Sequence, residues 1–305
     1  MRVANYPHRQ AVHCGSGTLA AALAHRGLSL SEPTVFGLGA GLGFALHEGE
    51  PPNQASRFFV GRSPSFEQDL CVSVGAELDV EQYDKPAAAW ARCCELIAQG
   101  KPALVYTDLF ELPYMGARNH WHGHLVAVIG HEGDEAIVAD NERPEPVRVS
   151  IAALQRALGG PAPVPMDGIS VLSLGDVDPL APKRAREAVL LQAVRLTEEA
   201  APRTGVRGLR ALADELPSWK EQPDADRCFR LAAQVIEQRG TGGGLFRRMY
   251  AQFLDEAGLT ELSRLCTRSA DAFSALAREL TPERARACAD TEDALWKRAL
   301  EVVER

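Results

Sequence analysis

The sequence of 305 residues contains no run of about 18 apolar residues that could span a membrane, and its N-terminus lacks the basic-then-apolar pattern of a signal peptide. It has no basic block, and its net charge of −8 argues against a role in binding nucleic acid. Its seven cysteines suggest neither an even-numbered disulfide framework nor the CxxC spacing of a zinc ribbon. We therefore expect a cytoplasmic protein with no membrane or nucleic-acid partner.

What is present is the composition of a soluble globular chain, with 46% hydrophobic and 24% charged residues and enough length for two domains. The first half mixes short strand and helix signals, whereas the second half shows helical periodicity and almost no strand signal. We predict an α+β domain over residues 1–176 and an all-α domain over residues 177–305. The predicted strands are 58–60, 102–107, 125–130, 135–140, 147–149 and 169–174. The predicted helices are 18–26, 66–74, 85–99 (with Asp84 as its N-cap), 183–201, 205–216, 224–239, 245–257, 259–279 and 282–304. The stretch 29–36 is predicted to be a turn with capping residues before a short helical segment.

Cys14 stands at the beginning of the first predicted helix. The alanine-rich run that follows Gly17 favours helix, and Gly27 is a suitable C-terminal residue for it. Unpaired backbone N–H groups and the positive end of the helix dipole favour a thiolate at such a position. Cys14 is thus a candidate nucleophile, the alternative being a small residue that packs a helix start.

A second informative stretch, 119–124, leads into a continuous apolar strand and ends in His124. A hairpin with a three-residue loop centred on Glu132, with Gly133 in the left-handed conformation, would place His124 opposite Asp140. His124 would then be the general base for Cys14, and Asp140 would orient its ring.

Several alternatives stay open at this stage. Asn141 could orient the histidine in place of Asp140. His120, His122 and His124 alternate and could form a zinc site together with Cys14 and either His8 or His13. His122 could instead contact substrate or lie in solvent.

An oxyanion hole requires a donor besides the backbone N–H of Cys14. His8 and Gln10, in the segment before the helix, are both candidates. His13 is adjacent to Cys14 and is expected to point elsewhere, as a structural or pocket-lining residue.

The segment 37–44 carries glycine at every second position and does not match the GxGxxG pattern of dinucleotide-binding proteins. Such a run suits either a flexible loop or close contact with a substrate or acyl chain. Gly41 and Gly43 are the candidate contact residues.

Several of these motifs resemble the butirosin biosynthesis protein H family. The similarity lies in the N-terminal segments 13–16, 28–32, 35–44, 61–62, 107–109, 112–114, 123–124 and 138–140. The C-terminal half, including the glycine-rich segment 240–244, is similar to an uncharacterised helical domain that often follows in this family. The run from Val35 to Phe44 is the most specific part.

The resemblance implies a papain-like cysteine fold used for acyl transfer, with Cys14, His124 and Asp140 at the positions of the triad. It implies an acyl carrier protein as partner, bearing the acyl group on phosphopantetheine, and a small-molecule amine as acceptor; no other cofactor is expected. The oxyanion glutamine of papain-like enzymes has no counterpart here, and His8 stands near its place.

The leading hypothesis is therefore a cysteine acyltransferase, with an amidase or peptidase-like hydrolase of the same triad as the alternative within enzymes. A non-catalytic binding or zinc-binding protein is the alternative outside them.

The helical domain, together with Tyr114 and the glycine-rich loops, would supply a lid and acceptor pocket. Arg247-Arg248 or Lys183-Arg184-Arg186 could dock an acidic carrier protein. A homodimer is a further candidate assembly.

Overall fold

The computed structural model of the chain describes residues 1–52, 54–160, 168–177, 184–198, 200–237 and 242–303. It divides into two compact units, the first made of Met1–Glu32 and Val74–Ala181, the second of Pro33–Ser73 and Pro182–Arg305. This division differs from the continuous boundary predicted at residue 176, because segment 33–73 groups with the helical part of the chain. Lys183 and the first two residues of the glycine-rich segment 240–244 lie outside the described residues.

The described residues form strands and helices along most of their length. The strands are β1 (Leu42–Glu48), β2 (Arg57–Arg62), β3 (Ala76–Tyr83), β4 (Ala103–Asp108), β5 (His122–Glu132), β6 (Glu135–Ala139), β7 (Val147–Ser150) and β8 (Ile169–Val177). The helices are α1 (Cys14–His25), α2 (Glu32–Leu38), α3 (Phe66–Val74), α4 (Pro86–Ala98), α5 (Ile151–Leu158), α6 (Ala185–Thr197), α7 (Gly205–Trp219), α8 (Ala225–Glu237), α9 (Gly243–Glu256), α10 (Thr260–Arg278) and α11 (Pro282–Val303). None of these helices is both long and apolar enough to cross a membrane.

Each predicted helix and strand has a counterpart, whereas β1, β3 and α5 were not predicted. Helix α5 begins with a recognisable signal, since the Ser150 hydroxyl accepts a hydrogen bond from the N–H of Ala153 at 3.2 Å. The predicted cap of α4 is wrong. Lys85, not Asp84, is the N-cap residue; its ammonium group has no acceptor for a capping bond, and Pro86 opens the helix.

Six strands of the first unit form an antiparallel sheet in the order β3-β8-β4-β5-β6-β7. In β5, residues 125–129 are at most 1% exposed, as expected for the continuous apolar strand. Helix α1 packs against this strand, and the Thr18 hydroxyl donates a hydrogen bond to the Leu125 carbonyl at 3.1 Å. The packing brings the start of α1 to the strand that carries His124.

The turn between β5 and β6 differs from the predicted one. Glu132 pairs with Glu135, so the turn has two residues, and Gly133 takes a φ of +58°. Beyond a register shift in this hairpin, Ala127 pairs with Ala139. If this register is continued, Asp140 lies opposite Val126, two positions from His124. Residues offset by two remain on the same face of a sheet and within reach of each other. The predicted register is therefore wrong, although the two side chains still meet.

The glycine-rich segment 37–44 of the second unit is buried, contrary to the expected flexible loop. It spans the end of α2, a turn and the start of β1. A Cβ atom at any of its four glycines would lie within 2.6 Å of another atom. The neighbours of Gly37, Gly39, Gly41 and Gly43 are, in that order, Phe253, Phe66, Phe36 and Arg62. The left-handed backbone conformation of this segment falls on Ala40, with a φ of +43°. The expectation of a flexible loop is wrong, and contact of Gly41 and Gly43 with a substrate stays a prediction.

The second unit also buries an ion pair among its helices. Arg247 is fully buried, and its Nε and Nη2 atoms donate to the Glu292 carboxylate at 2.7 and 2.8 Å. Its guanidinium carbon lies 3.8 Å from the centre of the Phe273 ring. The proposed docking role of Arg247 is therefore wrong, because α9 turns this residue into the helical core. Arg248 remains partly exposed.

Candidate active site

Cys14 is the first residue of α1, and its side chain lies at the N-terminal end of that helix. His13 is the N-cap, with an extended backbone conformation (φ −127°, ψ 131°). Gly27, with a φ of +90°, follows the end of the helix, as the sequence predicts. The backbone N–H groups at the start of α1 and the positive end of the dipole favour negative charge on the sulfur.

His124, on β5, connects Cys14 with Asp140. Its Nε2 atom lies 2.8 Å from Oδ2 of Asp140, and its side chain also forms a hydrogen bond with the Cys14 thiol. Because the carboxylate occupies Nε2, Nδ1 is the nitrogen left for the sulfur. His124 is 5% exposed and Asp140 is fully buried. The structure thus brings together the nucleophile, base and orienting carboxylate that the sequence predicted.

The protonation of this cluster favours a charged pair. Burial by itself would raise the pKa of the Cys14 thiol, but hydrogen bonds from His124 and His13 hold that pKa well below its usual range. Burial would lower the pKa of His124, but its bonds with Asp140 and Cys14 raise that pKa to about 10. These opposite shifts favour a thiolate paired with an imidazolium, and the thiolate is the nucleophilic form.

Asp140 is held by donors other than His124. The Tyr114 hydroxyl donates to its Oδ2 at 2.9 Å, and the backbone N–H of Glu142 donates to its Oδ1 at 3.0 Å. Burial would raise the pKa of Asp140, but the His124 imidazolium and these donors lower it below the usual value. Burial and the nearby Asp140 charge raise the pKa of Tyr114, which stays a donor. Tyr114 lies in the first unit and supports the carboxylate, and its expected contribution to an acceptor pocket stays a prediction.

Asn141 does not orient His124, which was the alternative to Asp140. Its side-chain amide donates instead to the backbone carbonyls of His13 and Cys14, at 2.9 and 3.2 Å. The residue is 3% exposed. Asn141 therefore fixes the start of α1, so consecutive residues after β6 hold the base and the nucleophile.

His13 contacts the sulfur, contrary to the expectation that it points elsewhere. Its side chain forms a hydrogen bond with the Cys14 thiol, and its Nδ1 atom accepts the backbone N–H of Ser16 at 3.2 Å. As the N-cap, His13 has a side chain that folds back over the first helical turn, and this conformation places the ring beside the neighbouring thiol.

Glu32 fixes the segment around His13, a role that the sequence analysis missed. Its carboxylate accepts the backbone N–H groups of Val12 and His13 and the hydroxyl of Ser16, at 2.8–3.1 Å. No local spacing pattern predicts these contacts, because the carboxylate lies 19 positions after His13 and bonds mainly to backbone.

The two other oxyanion candidates are placed differently. Nε2 of His8 lies 2.9 Å from the carbonyl oxygen of Arg143. Gln10 is exposed to solvent. Neither has a described hydrogen bond to Cys14, whereas His13 does.

The alternating histidines do not converge on one point. Nδ1 of His120 lies 2.5 Å from Oδ2 of the buried Asp108. Nε2 of His122, a residue only 5% exposed, lies 3.3 Å from the Leu158 carbonyl oxygen. His122 is therefore not exposed to solvent, one of the two placements expected for it. Within the described residues, no group of three or more His, Cys, Asp or Glu side chains could hold a metal ion. The zinc hypothesis thus has no supporting geometry in this part of the chain.

This arrangement can perform nucleophilic chemistry on an acyl group. The thiolate can attack a carbonyl carbon, the imidazolium can protonate a leaving group, and the neutral imidazole can then take a proton from the second nucleophile. The fixed Asp140 carboxylate keeps the ring oriented through both steps.

Two family models match the chain. The model described as butirosin biosynthesis protein H, N-terminal, matches residues 13–141, and a domain of unknown function (DUF4872) matches residues 153–304. No curated protein matches the chain. Among solved structures, it is similar to a crystal structure described as a C39-like peptidase from Bacillus anthracis, at 13% identity and a TM-score of 0.39. That alignment covers 58% of this chain and 98% of the other.

Proposed function

Because this chain belongs to the butirosin biosynthesis protein H family, whose N-terminal model spans Cys14, His124 and Asp140, we propose that it is a cysteine-dependent acyltransferase. The donor is an acyl or aminoacyl thioester on the phosphopantetheine arm of a carrier protein, and the acceptor is a small-molecule amine. The observation that carries the proposal is the buried Cys14–His124–Asp140 cluster, whose hydrogen bonds lower the pKa of the sulfur.

In the first step, the Cys14 thiolate attacks the thioester carbonyl carbon. A new carbon–sulfur bond forms to Cys14, and the bond to the pantetheine sulfur breaks. The leaving thiolate takes the proton of the His124 imidazolium, so the products are an acyl-enzyme and a free pantetheine thiol.

In the second step, the amine attacks the acyl-enzyme carbonyl while neutral His124 accepts a proton from the amine nitrogen. The carbon–sulfur bond to Cys14 breaks, an amide is released, and the thiolate–imidazolium pair is restored. Asp140 stabilises the imidazolium in the resting state and limits the ring to one orientation.

Transfer and hydrolysis share the acyl-enzyme and differ only in whether an amine or water resolves it. Transfer therefore requires that the amine reaches the acyl-enzyme faster than water does. The hydrolase is the alternative outcome of the test, and a carrier-protein docking surface and a homodimer remain predictions. Of the basic residues suggested for docking, the exposed Arg184 and Arg186 and the partly exposed Arg248 are still available for it.

The test uses the full-length protein, a short acyl thioester of N-acetylcysteamine and the same acyl group loaded on a carrier protein. Intact-mass spectrometry should detect one added acyl group on the wild type and none on Cys14→Ala. Addition of amines, including aminoglycosides, should then release amide. Free acid as the sole product with every amine would support the hydrolase, and the absence of an acyl-enzyme with both donors would overturn the proposal.

A further inference from the structure

The sulfur of Cys14 is in contact with two imidazoles, although the triad needs only one. His124 is the first, and the side chain of His13 is the second. His13 is 1% exposed, so its ring is buried next to the nucleophile and not at the surface. A buried ring with bonds to both helix and sulfur has a defined orientation.

The hydrogen bonds around His13 determine which of its nitrogens can donate. Nδ1 accepts the backbone N–H of Ser16 at 3.2 Å, and the Ser16 hydroxyl, 3.0 Å from Nδ1 and 2.9 Å from the Glu32 carboxylate, can give its single proton to either of them. A nitrogen that accepts an N–H carries no proton itself, so in the neutral ring the proton is on Nε2. Nε2–H is therefore the donor that His13 can present to the sulfur.

A group that donates to the sulfur in the free enzyme is near the place where an oxyanion forms. In the tetrahedral intermediate, the negatively charged oxygen and the Cys14 sulfur are bonded to the same carbon atom. A fixed donor there stabilises the charge without reorganising, which is how oxyanion holes act. The backbone N–H of Cys14, at the N-terminal end of α1, supplies only one such donor.

We propose that Nε2–H of His13 is the second donor of the oxyanion hole, acting with the backbone N–H of Cys14 on the carbonyl oxygen of the acyl substrate. This inference rests on the proposed function, since it assigns a role within the same acyl-transfer reaction. Ser16 and Glu32 are positioning residues in it, because they hold the tautomer and the orientation of the His13 ring. His8 is bonded to a backbone carbonyl and Gln10 is exposed, so neither takes this role.

The test compares two reactions of the same sulfur. Acylation by an N-acetylcysteamine thioester passes through an oxyanion, whereas alkylation by iodoacetamide is a direct displacement and does not. Both rates are measured on the pH plateau where the thiol is fully ionised, so that a changed thiol pKa does not affect the comparison. His13→Asn is the informative variant because asparagine is also a good N-cap, and Gln10→Ala is the matched control.

We expect His13→Asn to lower the acylation rate by about 10²–10³-fold, the effect typical of losing one oxyanion donor. Its plateau alkylation rate should change much less, and Gln10→Ala should resemble the wild type in both reactions. Partial recovery of acylation in His13→Gln, whose side-chain amide N–H extends one methylene further than that of asparagine, would support the assignment.

Equal losses of acylation and alkylation in a folded His13→Asn protein would overturn it, as would a larger acylation loss in Gln10→Ala. Failure of both His13 variants to fold, judged by circular dichroism, would assign the residue to stability instead. A wild-type protein that is alkylated but never acylated would contradict the proposed function itself, which separates the two failures.

Discussion

Gly17 and Asn141 lie so close together that a Cβ atom on Gly17 would be 2.2 Å from the Asn141 amide nitrogen and 2.3 Å from the Ala11 Cβ atom. The same amide nitrogen donates to the carbonyls of His13 and Cys14. The absence of a side chain at this position in α1 is therefore a condition for holding the nucleophile.

We expect Gly17→Ala to destabilise the protein and to slow alkylation of Cys14. Glycine-to-alanine changes inside helices ordinarily stabilise by about 1 kcal/mol, so a destabilisation would have the opposite sign and would report the collision with Asn141. Urea unfolding followed by circular dichroism measures the first effect and iodoacetamide kinetics the second. A more stable variant with an unchanged alkylation rate would show that Asn141 can move aside at no cost.

The pH dependence of Cys14 alkylation should show an already ionised thiol. Because its pKa is lowered and that of His124 is raised to about 10, the ion pair should persist from below neutral pH up to about pH 10. The wild-type rate should change little across neutral pH and fall only in acid. In His124→Asn the midpoint should move up toward the ordinary thiol pKa of about 8.5, because only His13 then remains bonded to the sulfur. A wild-type midpoint near that ordinary value would mean that no such pair exists.

Tyr114→Phe should weaken the support of Asp140 without removing the triad. The lost hydrogen bond to a charged group is worth about 1.5–3 kcal/mol. The part of this energy that is lost from the transition state should lower the acylation rate by roughly tenfold. The variant should also raise the pKa of Asp140, since one donor to the carboxylate is gone. The acid limb of the acylation pH profile should therefore move upward. Phe110→Leu, a change to a partly exposed side chain, is the control and should leave the profile unchanged.

In the second unit, Arg247→Met should be strongly destabilising because it leaves the Glu292 carboxylate buried without its partner. Breaking such a pair costs about 3–5 kcal/mol. Arg248→Met, its partly exposed neighbour on α9, should cost less than about 1 kcal/mol. Urea midpoints compare the two, and the double variant Arg247→Met/Glu292→Met should lose less stability than Arg247→Met alone. Equal small effects of the two arginine changes would contradict a dominant role of the ion pair.

Elements with strong local patterns could be predicted from the sequence, and the missed ones lack such patterns. The apolar run of β5 and the periodic second half gave clear signals. Strand β3 instead alternates acidic residues at the edge of the sheet and is completed by pairing with β8, nearly a hundred residues away. The glycines before and at the start of β1 concealed that strand. Packing against Phe66, Phe36 and Arg62 decides their conformation, and such tertiary contacts are not visible in a sequence.

Some residues of the candidate site could likewise be predicted from local sequence patterns, and others could not. His124 and Asp140 could be paired because a hairpin joins them over 16 positions. The bonds of Asn141 to the start of α1 cross 127 and 128 positions and end on backbone carbonyls, which have no sequence signature. The direction of the His13 ring was missed for a different reason: helix periodicity does not apply to a capping residue, whose backbone is extended.

Asp140 and Asn141 are joined by a single peptide unit, and one bonds the imidazole while the other bonds the thiol-bearing helix. A rotation of that peptide would displace both reactants together and in a correlated way. The spacing of acid, base and sulfur is thus set by covalent geometry at one point of the chain. Inserting or deleting a single residue there would separate the contact of Asp140 with His124 from the contact of Asn141 with the start of α1.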